Sequence, residues 1–354
     1  MSYKKTADFI NRCRWQAQEG TPYRTLQDCT EKEGITILDY MGEKTKRILA
    51  ENEFTDEGIY NGSNSQYLEA ILETIPVDMV KEAGEKLKFD PAEMLKNPVP
   101  YEYPAKTINA SIDDVNVIKQ KERREKENHN EKSQRQYVHN TVVHVEKEGL
   151  SYTLNGHGIK NVLCYLIAFF MHNNLTGNRF QFFTDGHTFL NNAILKQFTW
   201  YKNIGIILDW YHLVKKCKEQ LSMAMKGRNL RNQVVRDIMP FLWHGLTYKA
   251  IKYLEEIDYK NVKNSEKLCK LVEYLKRNTP YIPCYAIRKK LGLRNSSCIG
   301  EKMNDILVSS RQKRNGMSWS KDGSVALATI TSLKRNREDK KWFEQKELNY
   351  KLAA

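Results

Sequence analysis

The sequence predicts an α/β protein: a short sheet built in the middle of the chain and covered by helices. Three observations lead there. Apolar runs with a two-residue period lie between 108 and 157. Beyond 157 the period switches to that of helices, interrupted by two further apolar runs. Those two runs, "RFQFFTD" (179–185) and "NIGIILD" (203–209), each end in an isolated carboxylate.

Residues 1–96 are polar and helical in pattern, with short amphipathic stretches such as "GEKTKRILAENEF", interrupted by the looser "FTDEGIYNGSNSQ". "NPVPYEYPA" (97–105) carries three prolines and reads as a linker. In "KTINASIDDVNVIKQ", Ile108, Ala110 and Ile112 alternate with polar residues, a strand signal. Residues 119–135 are almost wholly polar and mixed in charge, as in a solvated hairpin extension or a disordered loop. "YVHNTVVHVEKEGLSYTLNG" gives two strands around a Glu-Gly turn, completing an antiparallel meander of three.

Ile159 to Asn173 reads as a buried helix, 179–185 as a strand and 187–200 as a helix with Leu190, Ala193, Ile194 and Phe198 on one side. Residues 203–209 are a strand again. Strand, helix, strand in this order implies parallel neighbours with a right-handed crossover. The block 211–290 is helical, basic and rich in Tyr and Trp, and two long helices follow, at about 297–314 and 321–337. This is the element order of a ribonuclease-H-like fold. The expected divisions are a mostly helical N-terminal region (1–96), the linker (97–105), the first part of the core (106–210), a helical insertion (211–290) and the last core helices (291–345).

Charge narrows the function class. The net charge is +14, unevenly spread: residues 1–100 hold 13 Lys/Arg against 18 Asp/Glu, and residues 101–354 hold 44 against 25. The larger part favours a polyanionic partner. No 18-residue apolar run exists, and "MSYKKTADFINRCRW" lacks the apolar core of a signal peptide, so no membrane role and a cytoplasmic, nucleoid-associated location are expected. Seven scattered cysteines without a Cys-x-x-Cys pair read as reduced thiols and argue against zinc.

Between Glu148 and Glu219 the carboxylates are Asp185 and Asp209, one at each strand end. Ligands of open α/β sheets bind beyond the carboxyl ends of the strands, so the two acids are expected to face one crevice. A lone acid there also commonly caps the following helix, and both precede one. Asp113 and Asp114 lie in the first strand on opposite faces; alternation alone does not choose between them. Glu301 is the one carboxylate between Glu273 and Asp305. A helix wheel puts Met303, Ile306 and Leu307 on a buried face and Glu301, Asn304, Val308 and Arg311 on another. Carboxylates converging in a basic surround suit hard divalent cations such as Mg²⁺. Two such ions about 4 Å apart activate a nucleophile and stabilise the leaving oxygen of a phosphodiester.

Together "FFTDGHTFL", "IILDWYHLVKK" and "GEKMNDILVSSRQKRNGMSWSKDGSVAL" resemble bacterial insertion-sequence transposases of the DDE type. The likeness is to the ISLre-type group, related to the Mutator-like transposases, and spans about 106–340. It implies Asp113, Asp185 and Glu301 as catalytic, metal-binding residues for two Mg²⁺ (or Mn²⁺). It implies Asp209 and His212 as an auxiliary Asp-x-x-His, with Asn304 nearby, and Arg311, Lys313, Arg314, Lys215 and Lys216 as DNA contacts. The implied activity is metal-dependent cleavage and strand transfer at element ends, by a homodimer or higher oligomer on DNA. The alternatives are a ribonuclease-H-like DNA nuclease or resolvase without strand transfer, and a non-catalytic DNA-binding protein. "TPYRTLQDCTEKEGITI" is a candidate helix-turn-helix, and Gly300 stands before Glu301 where relatives often carry an apolar residue.

Overall fold

The computed structural model describes residues 3–14, 20–62, 72–120, 136–313 and 317–353, with the backbone alone at positions 298, 299 and 301. The N-terminal region begins with α1 (Tyr3–Cys13) and the 29-residue α2 (Tyr23–Glu51). α2 runs unbroken through the stretch read as a helix-turn-helix, so that reading is corrected. Gly34, where a turn would fall, is a helix-packing position: its Cα lies against Ala326, so close that an added Cβ would sit 2.6 Å from the Ala326 Cβ. Ile37, Met41, Ile48 and Leu49 of α2 join the core under the sheet. α3 (Val77–Glu85) and α4 (Pro91–Met94) follow, the second capped by Asp90. The span 97–105 is packed into the fold: Val99 and Tyr101 are buried, and Glu102 meets Arg179 at 2.7 Å.

The sheet begins with β1 (Thr107–Ile118), β2 (Tyr137–Lys147) and β3 (Leu150–His157), paired antiparallel in sequence. β2 and β3 are joined by Glu148 and Gly149, both at positive φ (49° and 84°), the two-residue turn that matches the twist of a hairpin. α5 (Gly158–His172), β4 (Arg179–Thr184), α6 (Thr188–Gln197) and β5 (Ile204–Leu208) complete the first part. The strands form one five-stranded sheet in the order β3-β2-β1-β4-β5, with β1–β4 and β4–β5 parallel. One face buries Ile108, Ala110, Ile112, Phe180 and Phe182 in a core shared with α5 and α2.

On the other face lie two groups. Phe183 and Ile207, with Leu208 at the end of β5, pack into a helical block made of α7 (Trp210–Ala224), α8 (Arg228–Trp243), α9 (Thr247–Glu255), α10 (Ser265–Asn278) and α11 (Tyr285–Lys290). Val115, Val117, Val138 and Val142 pack against Leu307 and Val308. Those last two belong to the closing helix: α12 (Cys298–Asn304) continues as a π-helix over Asp305–Lys313. α13 (Lys321–Arg335), capped by Ser320, and α14 (Asp339–Gln345) end the described helices. None of the helices is long and apolar enough to cross a membrane among the described residues.

The structure corrects the helix wheel: the buried positions are Asn304, Leu307, Val308 and Gln312, while Met303 and Ile306 are half-buried. Gln312 anchors a buried polar network. Its amide donates to the Ser324 carbonyl at 2.8 Å, and its own carbonyl accepts from the Trp319 indole at 3.1 Å.

If α2 is part of the core, Gly34→Leu should force it off α13 and cost roughly 1–3 kcal/mol. Gly42→Ala, on the same helix with open space around it, should gain about 0.5–1 kcal/mol. Urea unfolding measures both; equal effects would place α2 outside the cooperative fold.

Candidate functional site

The parallel rungs between β1 and β4 run from Thr107↔Arg179 to Ser111↔Phe183. Residues in register on parallel strands share a face, and the side-chain period is two. Two residues past the last rung, therefore, Asp113 and Asp185 come out on the same face. β4 ends at Thr184 and the chain turns at Gly186 (φ +81°), while β1 runs on beside β2. The fork opens a cleft lined by Ser111, Asp113, Phe183, Thr184, Asp185, His212, Ser297 and Asn304.

Asp113 is half-buried, and the Asn304 amide donates to its Oδ2 at 2.9 Å. Burial and then the negative charge of Asp185 push its carboxyl up to about 6; the His212 imidazole pulls the other way. Asp114 is exposed on the opposite face, where it accepts a hydrogen bond from the Thr141 hydroxyl. Asp185 is exposed. Its Oδ1 accepts from the His187 amide at 2.9 Å, and its carbonyl accepts from the Tyr274 hydroxyl at 3.1 Å. It is not the cap of α6, whose N-cap is His187 without a side-chain bond.

Asp209 is different. It is 1% exposed and is the N-cap of α7: its Oδ1 accepts from the amides of Tyr211 (2.7 Å) and His212 (3.3 Å). Its Oδ2 accepts from the Ser297 amide and from the Ser297 hydroxyl, the latter at 2.7 Å. Around it the Tyr285 hydroxyl donates to the Leu208 carbonyl (2.6 Å), and the Trp210 amide to Asn295 (3.1 Å). Asp209 thus sits behind the cleft, tying the end of β5, the start of α7 and the approach to α12. His212, one turn into the capped helix, lines the cleft.

α12 rests directly on β1. An added Cβ at Gly300 would stand 2.5 Å from the Ser111 Cβ, which explains a glycine at this place. Position 301 lies in the same helix, one turn ahead of Asn304; the Glu301 side chain is outside what the structure describes. Among the described residues no group of three or more His, Cys, Asp or Glu is arranged to hold a metal; the acids lining the cleft are Asp113 and Asp185. Arg311 and Lys313 are exposed on the π-helix, Lys215 is exposed on α7, and Lys216 lies 5.8 Å over the Tyr274 ring. Arg314 and most of the polar stretch (121–135) fall outside the described residues. Sequence reading passed over Ser297 and Tyr274. Neither carries a local signal, because each acts through a partner about 90 residues away in the chain.

No family model matches the chain, and no curated protein does. Among solved structures, a Drosophila P element transposase strand transfer complex aligns over 98% of this chain and 86% of that one, at 14% identity and a TM-score of 0.23. A likeness of that size does not show a shared fold.

The raised carboxyl makes a pH prediction. The protonated form of Asp113 stabilises the fold fully below its ordinary value near 3.8, and that contribution is lost as pH rises through about 6. In metal-free buffer Asp113→Asn should therefore raise stability at pH 8, by on the order of 2–3 kcal/mol, and leave it nearly unchanged at acid pH. Thermal unfolding at the two pH values checks this; an equal offset at both would remove the electrostatic cause.

Proposed function

We propose that this protein is a DNA transposase of the DDE type, with a ribonuclease-H-like core, that cleaves and joins DNA at the ends of an insertion sequence. The observation that carries the reading is the fork between β1 and β4: two acids far apart in sequence, each two residues past the last rung, line one cleft. α12 is tied to the first of them through Asn304. The strand order, an antiparallel meander continued by two parallel strands, supports the core, and the motifs quoted above support the family.

The donors in the cleft are hard oxygens, two carboxylates with a carboxamide beside them, which fit Mg²⁺ or Mn²⁺ and not a soft metal. Two such ions, held by Asp113, Asp185 and Glu301, would supply nucleophile activation and charge neutralisation at the phosphodiester. The chain's own residues do the positioning. Asn304 fixes the orientation of the Asp113 carboxylate. His212, on its capped helix, favours the ionised form of Asp113. Arg311, Lys313, Arg314, Lys215 and Lys216 neutralise the DNA backbone. Cleavage frees a 3′-hydroxyl, and its attack on target DNA at the same crevice joins the strands. A pair of element ends implies a dimer or higher oligomer on DNA, in the nucleoid.

Glu301→Gln keeps size and hydrogen-bonding reach and removes the charge. It should leave DNA binding intact and lower nicking and joining together by orders of magnitude, and Asp185→Asn should do the same. The assay is Mg²⁺-dependent nicking and joining on DNA carrying the element's own ends. Nicking without joining by the wild type would mark a nuclease or resolvase, and binding without either a non-catalytic protein. Full cleavage by Glu301→Gln would remove Glu301 from the chemistry.

A further inference from the structure

The end of α10 touches the turn that carries Asp185. The Tyr274 hydroxyl donates to the Asp185 carbonyl, and an added Cβ at Gly186 would lie 2.9 Å from the Asn278 Oδ1 and 3.1 Å from the Tyr274 hydroxyl. The Tyr274 ring is buried, 6% exposed, and two cations converge on it: Lys216 from α7 and Arg277 from α10, each 5.8 Å from the ring centre. On the same helix Lys270 and Lys276 each hold a glutamate, Glu266 and Glu255. Lys216 and Arg277 have no acid partner among the described residues. A helix C-terminus favours a cation in its last turn, which accounts for Arg277. It does not account for a second cation brought to the same ring from another helix. The ring attracts both cations, and together they offer an anion two positive charges.

We propose that Lys216 and Arg277, seated on Tyr274, form a phosphate clamp. It grips the DNA backbone beside the phosphodiester presented to Asp185. Tyr274 is the positioning residue, because its hydroxyl ties the clamp to the backbone of the acid. The clamp rests on the reading of the cleft as a DNA-processing site and adds the contact from the helical block that aligns the strand there.

The test is the salt dependence of binding to a fluorescent duplex of about 30 base pairs, each lost phosphate contact making the log–log slope shallower by about 0.9. Arg277→Gln should reduce the slope by about that amount, the double variant Lys216→Gln/Arg277→Gln by about twice as much, and Arg277→Lys should restore most of it. Lys270→Gln, whose partner is Glu266, should leave the slope unchanged. Tyr274→Phe keeps the ring and loses the hydroxyl; it should leave binding intact and lower kcat for nicking several-fold with little change in KM. An unchanged slope in the double variant overturns the clamp, and phosphate binding by the wild type at millimolar concentration together with that unchanged slope would make this a free-phosphate site. If the wild type binds DNA but never nicks it with Mg²⁺, the catalytic reading fails while the slopes still judge the clamp.

Discussion

The point at which β1 and β4 stop pairing governs everything around the cleft. Up to Ser111 and Phe183 the two strands are bonded in parallel; beyond that rung β4 turns away and β1 goes on with β2. A one-residue slip would turn Asp113 to the far face and bring Asp114 into the crevice. What prevents the slip is the opposite face, where Ile108, Ala110 and Ile112 interlock with Phe180 and Phe182 in a fully buried core. Removing such side chains from water is worth about 1.5–3 kcal/mol each. A shifted register would expose the whole set, so a hydrophobic constraint on one face fixes polar chemistry on the other.

A second constraint holds the rest of the site to that fork. The Asp209 carboxylate is almost completely buried, yet it accepts from four donors: two amides of α7, and the amide and hydroxyl of Ser297. A buried charge is tolerable only when satisfied in this way. Because one pair of its donors comes from Ser297, 88 residues along the chain from Asp209, the same carboxylate sets the start of the helix that bears His212 and the approach to the helix that bears Asn304. The helical block cannot be a detachable ornament either, since its core includes Phe183, Ile207 and Leu208 of the sheet.

Much of this was legible in the sequence. The meander, the Glu-Gly hairpin and the two acid-ending strands are local signals of period and turn chemistry, and the structure contains each of them. The difference between Asp185 and Asp209 was not legible. Both are isolated acids after an apolar strand, and what separates them is whether a distant segment approaches: Ser297 reaches Asp209, while Asp185 is left facing the cleft. The packing of α2 was hidden as well, because an acidic composition masked the stripe Gly34, Ile37, Met41, Ile48. The closing helix misled in a third way: polar residues flank its apolar ones, so the sequence put Val308 on a polar stripe, whereas it packs in the core beside Leu307.

The cleft sets Asp113, whose ionisation the charge of Asp185 disfavours, beside a surface rich in cations. In the absence of a compensating charge Asp113 holds its proton to about pH 6, and a divalent cation would reverse that preference. The central claim, that Asp113 and Asp185 form one cation-binding crevice, is tested most directly by titrating Mn²⁺ into the protein by calorimetry at several pH values, with no DNA present. The account predicts binding at pH 8 that weakens as pH falls through about 6 and is lost in Asp185→Asn. Equal Mn²⁺ binding by wild type and Asp185→Asn would contradict it.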